Sequence, residues 1–456
     1  MPIPTTTRRK VIAKALPVVS PYFAGRKQEL ELMKSHLVEG TGSGQKVFTI
    51  TGMGGSGKTQ MVSYFLQETN RDRKLFTHVV FVDASSESTL RADLQLWAQS
   101  LGPTHEEDDW ENALHILASE FTNGSWILVY DNADNPKLKM RKYFPACQNG
   151  AIILTSRSRV VGSLQNTSYL ELGNLNPKDA LAALEKAAHR QIPNPSKEMD
   201  DARILMEKLG YLPLALVHAG AYCHQQSSER DDKVYHFTFS RYLDLFDKRR
   251  EALLRKTDMF TQEDYERGVY ATLDLSYEVL QEASKQFLRI ISHFHYSDIP
   301  LAMFRAAAQV GFEDPEIYLL RPEDKKGLSL LTDLLCTNGE PDEFQLLELI
   351  RDLHSFSLVS PSEDSLRMHP LVQAWARDMK STDTENYEGI STRVVSSCSR
   401  DGNLHIYRYL LPHIKGWLAK KEGDDLHIND KVAFGKILDE IGHYALAETL
   451  FRKAIA

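Results

Sequence analysis

The sequence predicts a doubly wound α/β domain on a parallel sheet, followed by helical domains. Three observations predict it. Short Val- and Ile-rich runs alternate with helix-length stretches from Lys46 to about Leu172, a glycine-rich loop joins the first run to the first helix, and the strand signal fades after Leu175. Strands covered on both faces read as continuous apolar runs, and their alternation with helices makes βα units.

Taken in order, the strands are expected at Lys46–Thr51, Thr77–Asp83, Trp126–Asp131 and Ala151–Thr155, with helices at Thr59–Gln67 and Thr89–Leu101 between them. Pro177–His189, Met199–Leu209 and Leu214–Gln225 then read as an all-helical domain. Helices continue from about Tyr265 to Lys380. Within that stretch Ser355–Pro361 and Ser365–His369 read as short strands around the turn Ser362-Glu363-Asp364, followed by a helix from Pro370. Helices closed by a hairpin suggest a winged-helix module. Lys431–Ala456 reads as two helices meeting near Gly442, and its Gly442, Tyr444, Ala447, Phe451, Ala454 pattern resembles one tetratricopeptide unit. Such units bury their apolar faces only by stacking, and roughly three are needed, which points to a truncated form of a longer repeat protein. The expected divisions are a mobile tail over 1–20, an α/β domain over 21–172, a helical domain over 173–262, a winged helix over 263–380 and a helical segment over 381–456.

A length of 456 residues exceeds what one core supports, and 42% hydrophobic with 25% charged residues is ordinary globular composition. A net charge of -8 gives no general attraction for nucleic acid or an anionic membrane. Arg8, Arg9 and Lys10 read as part of a solvated, Thr-rich tail. Cys147, Cys223, Cys336 and Cys398 are too far apart in sequence for a close-paired zinc motif and too few for a disulfide scaffold. With no apolar run of membrane-spanning length, the chain reads as a cytoplasmic protein that binds neither nucleic acid nor membrane.

Gly52-Met53-Gly54-Gly55-Ser56-Gly57-Lys58-Thr59 matches the P-loop pattern between a strand and a helix, with Gln60 next in line. The glycines allow a tight turn that aims backbone N–H groups at phosphate oxygens, and the helix N-terminus adds its positive dipole end. Lys58 is expected to neutralise the β and γ phosphates and Thr59 to place its hydroxyl on Mg²⁺. Asp131, at the carboxyl end of a strand, supplies the carboxylate the cation needs. Arg157, after the Ala151 strand, is placed to reach a γ-phosphate.

These motifs together resemble the NB-ARC branch of the STAND-class P-loop ATPases, closest to fungal versions with tetratricopeptide repeats. The resemblance runs from Phe23 to about Lys380. Phe23-Ala24-Gly25-Arg26 with Glu29 resembles the family's opening motif, which implies that backbone around Arg26 lies against adenine. Gly210-Tyr211-Leu212-Pro213-Leu214-Ala215 resembles the Gly-Leu-Pro-Leu-Ala motif, whose proline, here Pro213, packs near the base. Met368-His369-Pro370 stands where the family has Met-His-Asp, implying a contact from His369 to the β-phosphate of ADP. Two departures stand out. Pro370 replaces the aspartate, and Asn132 follows Asp131 where many relatives carry a second aspartate assigned as the base; Asp134 is the nearest substitute. An amide cannot accept a proton as a carboxylate does, so hydrolysis is expected to be slow.

The resulting expectation is a regulatory switch in which exchange of ADP for ATP reorients domains. Self-association in the ATP state, a protein partner on the helical repeat surface and a role in signalling or self/non-self recognition are implied by the resemblance. The family match beginning near Phe23 leaves no room for an N-terminal effector domain, as in a regulatory or reduced member. The competing readings are a rapidly turning over P-loop ATPase or kinase, a protein-interaction scaffold with structural nucleotide, and a DNA-binding regulator using the winged helix.

Overall fold

The computed structural model describes residues 13–39, 44–73, 75–119, 126–135, 137–158, 168–230, 233–254, 263–296, 298–314, 318–319, 321, 324–379, 386–400, 404–421 and 426–455. Arg8, Arg9 and Lys10 lie outside these residues. The chain divides into two compact units, one of residues 1–183 with 211–214, the other of 184–210 with 215–456.

The first unit runs α1 (Lys27–Leu37), β1 (Lys46–Thr51), α2 (Lys58–Arg73), β2 (His78–Asp83), α3 (Glu87–Ser100), α4 (Trp110–Ser119), β3 (Trp126–Asp131), β4 (Ala151–Ser156) and β5 (Tyr169–Glu171). The sheet order is β2-β3-β4-β1-β5, and all pairs are parallel. Every residue of β3 and β4 is buried, which is why those strands carry unbroken apolar runs. Their alternate side chains feed two cores. Val80, Val82, Leu128, Tyr130, Ile152 and Leu154 meet α3 and α4 on one face, and Phe48, Ile50, Phe81, Val129 and Ile153 meet α1 and α2 on the other. Burial of each such aliphatic side chain contributes about 1.5–3 kcal/mol, so both faces are firmly covered. Register aligns Asp83 with Asp131 and Thr51 with Ser156, placing the polar strand ends along one carboxyl edge.

Helices α5 (Pro177–Ala187) and α7 (Pro213–Gln225) begin in the first unit and continue in the second, with α6 (Lys197–Lys208) between them. The second unit then has β6 (Ser228–Arg230) and β7 (Lys233–Tyr235), an antiparallel pair, before α8 (Phe239–Leu254) and α9 (Glu263–Val279). The expectation of an all-helical stretch is corrected here. These strands carry charged residues without an apolar alternation, so the period that signals a strand is missing from the sequence.

The unit continues with α10 (Glu282–Ser292), β8 (Ile299–Pro300), α11 (Leu301–Gln309), α12 (Asp324–Leu335), β9 (Cys336–Thr337), β10 (Glu340–Pro341), α13 (Glu343–Ser355), β11 (Val359–Pro361), β12 (Ser365–Met368) and α14 (Pro370–Asp378). The expected hairpin is β11–β12, and β8 adds a third strand. Last come α15 (Tyr387–Cys398), α16 (Leu404–Lys421), α17 (Ile428–Glu440) and α18 (Tyr444–Ile455). The last two meet at Gly442, whose φ is 84°. Gly435 sits beneath the Phe451 ring, where a Cβ would come within 2.5 Å of it.

A buried ionic cluster ties the second unit together. Arg321 pairs with Asp314 at 2.7 Å and with Asp430 at 2.5 Å, all three side chains being under a tenth exposed. Thr392 donates to Asp430, and Asn429 donates to Asp314 and accepts the Tyr318 N–H. The first turn of α17 is thereby held against α15 and against Asp314, Tyr318 and Arg321.

Candidate phosphate-binding site

The loop after β1 turns where glycine is needed. Gly55 and Gly57 have φ of 79° and 92°, conformations that cost other residues strain. At Gly52 a Cβ would lie 2.5 Å from the Leu172 carbonyl oxygen, so the strand end and the chain after β5 approach only because no side chain intervenes. Met53 is 45% exposed at the loop tip. Ser56 is buried, and its Oγ is without a hydrogen-bond partner among the described residues.

Lys58 opens α2 and folds back over the loop, donating to the carbonyls of Gly52 at 2.8 Å and Met53 at 2.9 Å. Burial lowers its ammonium pKa to about 8, against the charges of Asp134 and Asp131; Arg157 adds to the lowering. Thr59 Oγ1 donates to both carboxylate oxygens of Asp131, at 2.9 and 3.0 Å, and Thr155 also donates to Asp131. Burial pushes the Asp131 carboxyl up to about 6, opposed by hydrogen bonds from Thr155 and Thr59 and by the Lys58 charge, while Asp83 adds to the rise.

Asn132 takes a left-handed φ of 60°, tolerable for asparagine. Its amide nitrogen lies 3.3 Å from Asp131 Oδ2, to which it donates. Asp134 is already engaged: Oδ1 accepts the Arg157 N–H at 2.6 Å and the Ser156 hydroxyl at 3.2 Å, and Oδ2 is 3.0 Å from Arg157 Nε. The Arg157 side chain itself remains 45% exposed.

Arg26 is buried, and its side chain does more than the motif suggested. Nη2 donates to the carbonyls of Ser56 at 3.1 Å and Gly173 at 2.6 Å, while Nη1 meets Glu29. One guanidinium thus fastens the phosphate loop to the chain following β5. Pro213 is the first residue of α7, and the next N–H, that of Leu214, points to the Gly55 carbonyl at 3.4 Å. Leu175 N–H reaches the Tyr211 carbonyl at 3.0 Å. Gln60, in the first turn of α2, accepts from Ser20 N and donates to the Val18 carbonyl. The arrangement brings Gly52 to Gln60, Asp131, Arg157, Arg26 and Pro213 into one unit. His369 belongs to the other, where it caps α14 by accepting the Leu371 N–H at 3.1 Å.

The residues fit a nucleotide phosphate and a hard dication. Thr59 and Asp131 offer adjacent oxygen donors of the kind Mg²⁺ takes. The buried Ser56 hydroxyl, the ammonium of Lys58 and the glycine turns supply phosphate-binding chemistry in one loop.

The model of the NB-ARC domain family matches residues 26–192, from the clamping arginine through β5 and α5. The chain carries an NB-ARC domain. A comparison with curated proteins finds no match. Among solved structures, a Signal Transduction ATPase with Numerous Domains (STAND) protein with a tetratricopeptide repeat sensor from Pyrococcus horikoshii is 16% identical, with a TM-score of 0.48 over 97% of this chain. The chain spans 60% of that protein's length. A Walker-type ATPase of Pyrococcus abyssi is 13% identical (TM-score 0.35, covering 81% of this chain and 99% of that one). The ORC2 protein of Aeropyrum pernix, solved in ADPNP–ADP complexes, is 15% identical (TM-score 0.33, covering 83% and 94%). No helix among the described residues is long and apolar enough to cross a membrane.

Sequence reasoning missed Thr155, Asp83 and Asp93, whose Oδ2 accepts the Asp83 N–H, and gave Arg26 only a backbone role. Asp83 ends the β2 run as Asp131 ends β3, a parallel that was readable. The other three act through contacts no motif spells out.

Proposed function

We propose that this NB-ARC protein is a nucleotide-operated regulatory switch that holds ADP or ATP with Mg²⁺ and turns it over slowly. The observation that carries this reading is the state of the residues after β3. Asp131 accepts hydrogen bonds from Thr59 and Asn132, Asn132 follows it where the family resemblance expects a second carboxylate, and Asp134 is committed to Arg157 and Ser156. A nucleotide is therefore gripped well and attacked poorly. Thr59 and Asp131 would hold Mg²⁺, which when bound would supply charge neutralisation to the phosphates, and Lys58 would add positive charge.

A switch needs contacts that differ between its two ligands. Arg157, exposed beside Asp134, is the candidate to read the γ-phosphate, and His369 the candidate to meet ADP in the closed state, in the manner of the NB-ARC family. The three-stranded β8–β11–β12 element with its helices is read as the winged helix, and α17–α18 as a first tetratricopeptide-like unit whose surface takes a protein partner. Self-association in the ATP state and signalling in the cytoplasm complete the reading.

The test is to purify the protein without added nucleotide, denature it and quantify what is released, beside Lys58→Ala. Near-stoichiometric ADP, lost in the variant while the fold persists, is expected. An empty, stable protein with fast ATP turnover would replace the switch by an enzyme.

A further inference from the structure

The chain ahead of α1 crosses the first unit from one helical layer to the other. Ala13 packs against the core on the α3–α4 side, whereas Leu16 and Phe23 pack against the core on the α1–α2 side. Both ends of this crossing are fastened at the carboxyl edge of the sheet. At one end Lys14 Nζ lies 2.9 Å from Asp93 Oδ2, with 7% and 6% of the two side chains exposed. The same oxygen accepts the N–H of Asp83, the last residue of β2 and the register neighbour of Asp131. At the other end Gln60 accepts the Ser20 N–H at 2.6 Å and donates to the Val18 carbonyl at 3.3 Å. Just beyond, the Phe23 ring stacks on Tyr64 of α2 at 4.6 Å.

Val18 is four residue steps beyond Lys14, and a fully extended chain of that length covers about 14 Å at most. The crossing is therefore short, and it runs along the edge that presents Asp131 and Thr59. Burying a lysine is costly unless it is paired, so the docked position is specified by Asp93 rather than by general stickiness.

We infer that residues 13–22 form a strap across the nucleotide edge, with Lys14 a positioning residue that keeps the strap closed and slows nucleotide release, on the reading that the loop binds ADP or ATP. Opening the strap parts Lys14 from Asp93 and leaves a buried carboxylate without its counter-ion. That cost falls on the open form, and it is felt at Asp83 and so beside the cation site. Burial pushes the Asp93 carboxyl up to about 6, with Asp83 adding to the rise and Lys14 opposing it.

The experiment measures the dissociation rate of a fluorescent ADP, chased by excess ADP, from the full chain. Wild type, Lys14→Met and Lys14→Met/Asp93→Asn are compared. Both variants are expected to release the probe faster, by roughly 5- to 100-fold, the range of ordinary coupling between sites. An unchanged rate in Lys14→Met overturns the strap. So does a wild-type rate in the double variant, because the acceleration would then belong to the stray charge on Asp93. Should Lys14→Met fail to fold, the double variant, in which no charge is left unpaired, decides by the same criterion. A wild-type protein that takes up no probe would overturn the nucleotide reading and the strap with it.

Discussion

Two clusters of buried carboxylates, one in each unit, are built to opposite specifications. Around Asp314 and Asp430 one guanidinium faces both oxygens of both acids, and hydroxyl and amide donors reinforce the same oxygens. Although burial works against it, Arg321 holds the Asp314 carboxyl below the usual carboxylate range. Around Asp131 the donors are two hydroxyls and an amide, Lys58 acts only through its charge, and burial leaves the carboxyl raised to about 6. A buried acid met by a full charge with bidentate geometry fastens structure. One met mainly by neutral donors keeps its affinity for a cation.

The largest expected effect breaks the first cluster. Arg321→Met strands two buried carboxylates and should cost about 3–5 kcal/mol in urea unfolding, as removal of one partner of a buried ion pair does. A loss under about 1 kcal/mol would mean that the network is solvated in solution and that the contrast is false.

The second prediction inverts the sign. Asp131 has a folded-state value of about 6 against an ordinary 3.8, so the folded protein binds more protons between those values. Its contribution to stability falls as pH rises through that window. Asp131→Asn should therefore stabilise the nucleotide-free protein above pH 6 by on the order of 2 kcal/mol, and the difference from wild type should vanish below about pH 4. The same variant should lose Mg²⁺-dependent nucleotide binding. Destabilisation at pH 7 would show that the carboxylate serves the fold, as Asp430 does.

The smallest effect sharpens the site's electrostatics. With Lys58 lowered to about 8, its charge is lost as pH rises past that value, and nucleotide affinity should weaken with it, by about tenfold from pH 7 to 9.5. Titration calorimetry on Lys58→Arg, which stays charged, should show a flat profile over that range. A decline of the same size in both proteins would place the titrating group elsewhere.

The asymmetry between the clusters also explains what could be read in the sequence. β1, β3 and β4 were legible because buried parallel strands are unbroken apolar runs, and the phosphate loop because its glycines and Lys58 are contiguous. β5 was not: three residues, Tyr169 to Glu171, with only Leu170 apolar in the middle, carry no period. The bond from Arg26 to Gly173 spans 147 positions, and that from Arg321 to Asp430 spans 109. No local pattern encodes such pairs. Asn132 was visible as a departure, but the engagement of Asp134 by Arg157 needed the strand register and the turn after Asp131 to become apparent.

The return of residues 211–214 to the first unit has a consequence for the order of synthesis. The strands of the sheet are complete once residue 171 has been made, yet the backbone group that meets the Gly55 carbonyl belongs to Leu214, and the carbonyl that meets Leu175 belongs to Tyr211. As the chain leaves the ribosome, the nucleotide edge therefore exists for some forty residues in an unfinished form, and α6 must emerge before the last pieces of its wall arrive.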